Sequence, residues 1–106
     1  MQKILIILSL VFIFFFTSCT YDKNLYLIIE NQTNHTVSNI LLNYTSSKEY
    51  IEIKTLNSGE NYKVKINNSI ENSLKIKYII NNNSTEKVAI GYFIKNTKGT
   101  KYFIIE

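Results

Sequence analysis

The chain has no proline and no tryptophan, one cysteine, one histidine and three glycines among its 106 residues, and all twelve of its basic residues are lysine. A single cysteine excludes an internal disulfide framework and a cysteine-based metal cage. A single histidine excludes the multi-histidine zinc and iron sites. The three glycines (Gly59, Gly91 and Gly99) are isolated, so no Gly-rich phosphate loop is present. Glu49 and Glu52 are three residues apart and point to opposite faces of a strand, which does not make a paired-carboxylate site. The lack of arginine argues against a nucleic-acid interface. No cofactor is implied. The length suits one domain rather than two.

Isoleucine, asparagine and lysine dominate what is there, and the formal charge is +4. The apolar residues are unevenly spread. One lysine, Lys3, precedes a run from Ile4 to Phe16 that is apolar except for Ser9. Small residues, Thr17 and Ser18, lead to Cys19, and polarity rises at once with Thr20-Tyr21-Asp22-Lys23-Asn24. A charged start, a short apolar helix-length run and small residues before a break are the parts of a secretory signal. A membrane-spanning helix needs about 20 apolar residues, and this run is too short for one.

The only cysteine stands where that signal ends. Phe16-Thr17-Ser18-Cys19 resembles the lipobox of bacterial lipoproteins, with Phe16 where leucine is usual. The resemblance implies cleavage before Cys19 and a thioether-linked diacylglycerol on it. It also implies an extracytoplasmic protein lipid-anchored to a bacterial cell membrane or outer membrane. Two or three acyl chains, at about 0.8 kcal/mol per buried methylene, anchor stably where one does not. The expected division is a signal over 1–18, a lipidated cysteine and tether over 19–24, and a folded domain over 25–106. Removal of the signal leaves 88 residues and, with Lys3 gone, a charge of +3. The five residues Thr20 to Asn24 reach at most ~18 Å when extended, which keeps the domain close to its membrane.

The remainder reads as strands. Leu25–Ile29 is a β-branched and aromatic run, apolar residues alternate with polar ones in Val37–Tyr44, Tyr50–Lys54, Tyr62–Ile66, Leu74–Ile80 and Val88–Ile94, and Thr100–Glu106 closes the set. Asn-, Ser- and Thr-rich turns separate them, Asn57-Ser58-Gly59-Glu60 being the strongest. Seven strands at this spacing predict an all-β antiparallel sandwich, with an up-and-down barrel as the alternative. The first and last strands are apolar on both faces, which predicts central positions.

Two segments add a family resemblance. Asn31-x-Thr33-x-x-Thr36-Val37-x-Asn39-Ile40 resembles the opening of small extracellular immunoglobulin-like domains of bacterial lipoproteins and surface proteins. Leu56-Asn57-Ser58-Gly59-Glu60 resembles their mid-chain turn, with Ser58 in the usual proline position. The resemblance implies an immunoglobulin-like sandwich and no activity.

Candidate sites are few. Lys63, Lys65, Lys75 and Lys77 fall on the outer faces of two successive strands, and a hairpin closed by Asn67-Asn68-Ser69 would merge them into one basic patch. Its natural partner would be an anionic envelope polymer or a lipid headgroup, and its bland counterpart a solvated lysine-rich face that blocks edge pairing. Tyr62, Tyr78 and Tyr92 are expected inward, while Tyr26, Tyr50 and Tyr102 suit exposed cross-strand positions. An enzymatic or ligand-binding reading would have to use His35 with a loop carboxylate such as Glu60. The expected function is non-enzymatic: a binding or structural lipoprotein acting through an envelope protein or polymer, an immunity or inhibitor role being one form of it.

Overall fold

A computed structural model describes residues 23–106. The expected signal over 1–18 and the lipid-attachment residue Cys19 lie outside the described residues. Seven strands form: β1 (Leu25–Asn31), β2 (Val37–Tyr44), β3 (Tyr50–Leu56), β4 (Asn61–Ile66), β5 (Asn72–Ile80), β6 (Asn83–Phe93) and β7 (Gly99–Ile105). They make a β-sandwich of two sheets rather than a closed barrel, ordered β4-β1-β7 and β3-β2-β5-β6.

The expected all-antiparallel pairing is corrected at one place: β7 runs parallel to β1, with Leu25 opposite Gly99 and Asn31 opposite Ile105. Almost the whole chain separates these two strands, so no short crossover is required between them. β1 is central, as its pattern implied, but β7 is an edge strand. Its outward residues Tyr102 and Ile104 are exposed, so their apolar character does not mark a covered face. On β1 the outward residues are half-buried, and Lys63 of β4 lays its ammonium 4.3 Å from the centre of the Tyr26 ring, a cation–π contact that shields the ring.

The core is aliphatic. Leu25, Leu27 and Ile29 of β1 face Val37, Ile40 and Leu42 of β2 and Leu74 and Ile76 of β5, all fully buried. Each such side chain contributes about 1.5–3 kcal/mol by leaving water. Tyr78 of β5 meets Phe103 of β7 edge-to-face at 6.4 Å, a contact between the two sheets.

Bulges correct the two-residue period at two places. Asn39 and Ile40 together face Tyr78, because Ser38 pairs with Ile79 and Leu41 with Lys77. Asn39 takes φ of 50° there. The extra residue lets both Val37 and Ile40 face inward although they are three apart, and β3 follows with Ile53 and Leu56. β6 carries two irregularities, at Ala89 and at Gly91-Tyr92. They turn Ile90 and Phe93 inward and leave Val88, Tyr92 and Ile94 exposed. The expected single face Val88-Ile90-Tyr92-Ile94 therefore does not form. Of the three tyrosines expected inside, Tyr78 is buried, while Tyr62 is 47 % and Tyr92 67 % exposed.

Asparagine supplies most of the left-handed backbone. Asn81 and Asn82, with φ of 52° and 63°, make the two-residue link from β5 to β6. Positive φ at both positions is what a type I′ hairpin requires, and asparagine tolerates it better than other non-glycine residues.

The buried Asn31 ties the upper end together. Its carboxamide donates to the carbonyls of His35 (2.8 Å) and Leu56 (3.0 Å), and its oxygen accepts from the Thr33 amide (3.0 Å) and hydroxyl (2.6 Å). Its backbone bonds to Glu60 and Gly59. The Ser58 hydroxyl adds a 2.6 Å bond to the Thr33 carbonyl, and Glu60 accepts from the Asn57 amide at 2.9 Å. The two segments that resemble immunoglobulin-like domains are thus joined to each other through this residue. Replacing Asn31 by alanine strands the buried Leu56 carbonyl, and a buried unpaired polar group costs about 1–3 kcal/mol beyond the lost bonds. Asn31→Ala should lower urea-unfolding stability by about 2–4 kcal/mol, whereas Asn34→Ala, at an exposed site, should stay within about 0.5 kcal/mol of wild type.

Candidate functional site

Strand direction sorts the loops. The 32–36, 57–60 and 81–82 segments and Glu106 lie at the upper end; the chain start at Lys23 and the 45–49, 67–71 and 94–98 segments lie at the base. The ends differ in charge. The upper loops and Glu106 carry Glu60 and Glu106 and no lysine, while the base carries Lys23, Lys48, Lys95 and Lys98 against Glu49 and Glu71.

The basal lysines are not evenly placed. One concavity is lined by Lys23, Asn24, Asn68, Asn96 and Lys98. A second adjoins it, sharing Asn24 and Asn68, and adds Tyr44, Lys65, Ile66 and Asn67. Among the described residues no carboxylate lines either one, although Glu49 accepts from the Asn67 side chain at 3.5 Å. The parallel register of β1 and β7 brings the segments preceding them side by side, with the Gly99 amide donating to the Asn24 carbonyl at 3.0 Å. Asn68 fixes the third wall: its side-chain amide donates to the carbonyls of Lys23 (3.1 Å) and Thr97 (2.8 Å), and its own carbonyl accepts from Asn96 (2.8 Å). Asn96 completes the bend at φ of 65°. The result is a basal cup where three lysines stand beside a turn-to-turn amide network.

The base is held from the core side as well. The buried Asn72 accepts through its side-chain oxygen from the Ser46 (2.8 Å) and Ser73 (2.9 Å) amides, which fixes the 45–49 turn. The Tyr44 hydroxyl accepts from the Asn67 amide at 2.8 Å. Burial pushes this phenol above its ordinary value of 10.0, and Glu49 adds to the effect, against the Asn67 bond, which lowers it. Tyr92 is also raised, first by its short hydrogen bond to Glu71.

Of the residues singled out in the sequence, Lys63, Lys65, Lys75 and Lys77 are all exposed on outer faces but do not form one patch. β4 and β5 belong to different sheets, so Lys63 and Lys65 look out from one side of the sandwich and Lys75 and Lys77 from the other. The 67–71 segment crosses between sheets instead of closing a hairpin. Acidic residues also accompany the β5 pair, with Glu86 opposite Lys77 and 3.9 Å from Lys75, an exposed ion pair of small worth. Only Lys65 joins the basal cup. His35 and Glu60 both lie at the upper end, but His35 is exposed and enters the network through its backbone, while the Glu60 carboxylate caps the Asn57 amide. No hydrogen bond or ion pair joins their side chains. Among the described residues no group of three His, Cys, Asp or Glu side chains is arranged to hold a metal, and no helix is long and apolar enough to cross a membrane.

A second concave surface runs along the open side between the edge strands β6 and β7. It is lined by Ile90, Tyr92, Phe93, Ile94, Lys101 and Tyr102, among others. Tyr92, Ile94 and Tyr102 are each more than 60 % exposed here. Register sets two lysines on the core-facing side of these edges: Lys87 opposite Ile76, and Lys101 opposite Leu27. Both remain exposed. Inward-set charges and bulges on edge strands prevent a further strand from adding, so this surface offers side chains rather than a free backbone ladder.

Sequence reading missed Lys23, Lys98 and Asn68 as partners. Their turns were visible, but only the β1–β7 pairing and the sheet-to-sheet crossing after β4 bring them together.

Two outcomes follow from these placements. Because folding raises the Tyr44 pKa, the associated stability is present below pH 10 and is lost as pH rises through the folded value. Melting temperature should fall as pH rises above 10, and Tyr44→Phe should shallow that fall while removing a late component of the phenolate titration. The double substitution Lys87→Val with Lys101→Val should raise the oligomer content seen by light scattering above that of the unsubstituted chain, while Lys75→Val with Lys77→Val on the sheet face should do so far less. No protein-family model, curated protein or solved structure matches this chain.

Proposed function

We propose that this chain is a bacterial lipoprotein of the extracytoplasmic envelope, anchored to its membrane through lipid on Cys19. In this reading it acts by non-enzymatic binding or as a structural element. The observation that carries the proposal is the order of parts at the N-terminus. A charged start and a short apolar run end at Phe16-Thr17-Ser18-Cys19, where the only cysteine of the chain sits, and a strand-rich domain begins six residues later at Leu25. The β-sandwich supports this reading as a compact unit with its N-terminus at one end, suited to presenting the opposite loops away from an anchor.

The division of Lys63, Lys65, Lys75 and Lys77 between two outer faces removes the basis for a polymer-binding lysine patch. The exposed Tyr92, Ile94 and Tyr102 favour an envelope protein as partner instead, since aromatic side chains on a shallow concave surface are typical anchors of protein interfaces. An immunity or inhibitor role would use this same surface.

Globomycin, which blocks lipoprotein signal cleavage, should accumulate a precursor heavier than the mature chain. Cys19→Ala should remove the lipid and release the protein from, or misplace it within, the membrane fraction. Unchanged migration together with unchanged membrane retention in both experiments would defeat the proposal.

A further inference from the structure

We propose that the open edge of β3 is a contact between two copies of this chain. The copies pair β3 against β3, antiparallel about a two-fold axis at Ile53, and join their four-stranded sheets into one continuous sheet. The inference does not depend on the lipid anchor. It also leaves the concave surface beside β6 and β7 free, because β3 and β6 are opposite edges of their sheet.

The two sheets end in four edge strands, β3, β4, β6 and β7, and charge separates them. β6 and β7 set Lys87 and Lys101 on their core-facing sides, so a strand added there would cover a lysine. β4 carries Lys63 and Lys65 on either side of Val64. Paired antiparallel with its own copy about that centre, it would oppose lysine to lysine, which is destabilising. β3 has neither obstacle. It keeps a single register against β2 from Tyr50 to Leu56, the bulge at Asn39 being an irregularity of β2 against β5. No residue of β3 has positive φ. Ile51 and Ile53, opposite Leu42 and Ile40, bring apolar side chains to the core-facing side of the edge. Glu52 and Lys54 are exposed between them and beyond, and among the described residues neither side chain has a hydrogen-bond or ion-pair partner.

The order of these residues is self-complementary. With Ile53 on the axis, antiparallel pairing sets Glu52 of each copy opposite Lys54 of the other, and Ile51 opposite Thr55. Both unpartnered charges are then met, and each opposition occurs twice. An axis at Glu52 or at Lys54 would set like charge against like, so the charge order also selects the register. The two-fold reverses one copy. The joined sheet therefore has a chain start at Lys23 at each end and, in the lipid-anchor reading, an anchor at each end.

The experiment uses two forms of the full chain, carrying different affinity tags after Glu106, expressed together and purified through one tag in excess detergent. Wild-type chains should bring each other through. Glu52→Lys expressed with Glu52→Lys, and Lys54→Glu with Lys54→Glu, should each lose on the order of tenfold in association, since two attractive oppositions become repulsive. Glu52→Lys expressed with Lys54→Glu should recover the wild-type level, which also shows that both variants fold. A second measurement needs no variant. Amide hydrogen exchange of the wild-type chain should slow at residues 51–55 as protein concentration rises and stay unchanged at 61–66. Absence of wild-type co-purification would overturn the proposal. Co-purification indifferent to the single reversals, as chains sharing a micelle would give, would overturn it too. So would a mixed pair that stays apart, exchange at 51–55 that ignores concentration, or slowing at 61–66 in its place.

Discussion

The carboxamide of Asn31 is the constraint on which the upper half of the sandwich depends. It sits fully buried at the end of the central strand β1 and satisfies groups from the β1–β2 loop and the end of β3, while its backbone reaches the β3–β4 turn. A buried amide of this kind is tolerated only when its donors and acceptors are met, and here one of its bonds runs from β1 in one sheet to Leu56 of β3 in the other. The two sheets are therefore held in one relative position by directional bonds, where an aliphatic core alone would accept several. Asn72 does a smaller version of this at the base, and Asn68 extends the same device into solvent. The scaffold is a set of hydrocarbon strands located by asparagines.

That choice follows from composition. With three glycines and no proline, the chain has few of the residues that normally set turns. Asn39, Asn81, Asn82 and Asn96 take the positive φ values that glycine would otherwise supply. An A/T-rich coding bias would account for many asparagines, and it does not conflict with their structural use. The residues the composition makes abundant are those that can enter left-handed backbone and cap their own turns.

Strand positions and most turns were legible because alternation over five or more residues leaves little freedom in register. Ile40, Leu42 and Tyr44 lie on one buried face, as their spacing requires. The pattern misled where a single added residue reversed it. In β6, Ala89 and the Gly91-Tyr92 pair shift the phase, and Tyr92 and Ile94 emerge into solvent although they alternate with Ile90 in the sequence. β7 misled for another reason. Tyr102 and Ile104 are as apolar as any core pair, but no second strand covers their edge. The lysine grouping failed because adjacency in sequence does not fix which sheet a strand joins, and the 67–71 segment carries the chain from one sheet to the other. The basal cup was illegible for the complementary reason. Lys23, Asn68 and Lys98 are far apart in sequence, and only the parallel closure of β7 on β1 makes them neighbours.

That parallel closure also decides how the molecule can be handled. With an antiparallel last strand the chain would leave beside the place where it began. Here Leu25 and Ile105 mark opposite ends of the sandwich, so the chain enters the domain at one end and leaves it at the other. A peptide tag or reporter joined after Glu106 starts at the upper end and leaves the base clear. The fold thus has an inlet and an outlet on opposite ends, an arrangement suited to chain extension at the C-terminus and poorly suited to circular permutation, because a linker joining the ends would have to run the full length of a strand.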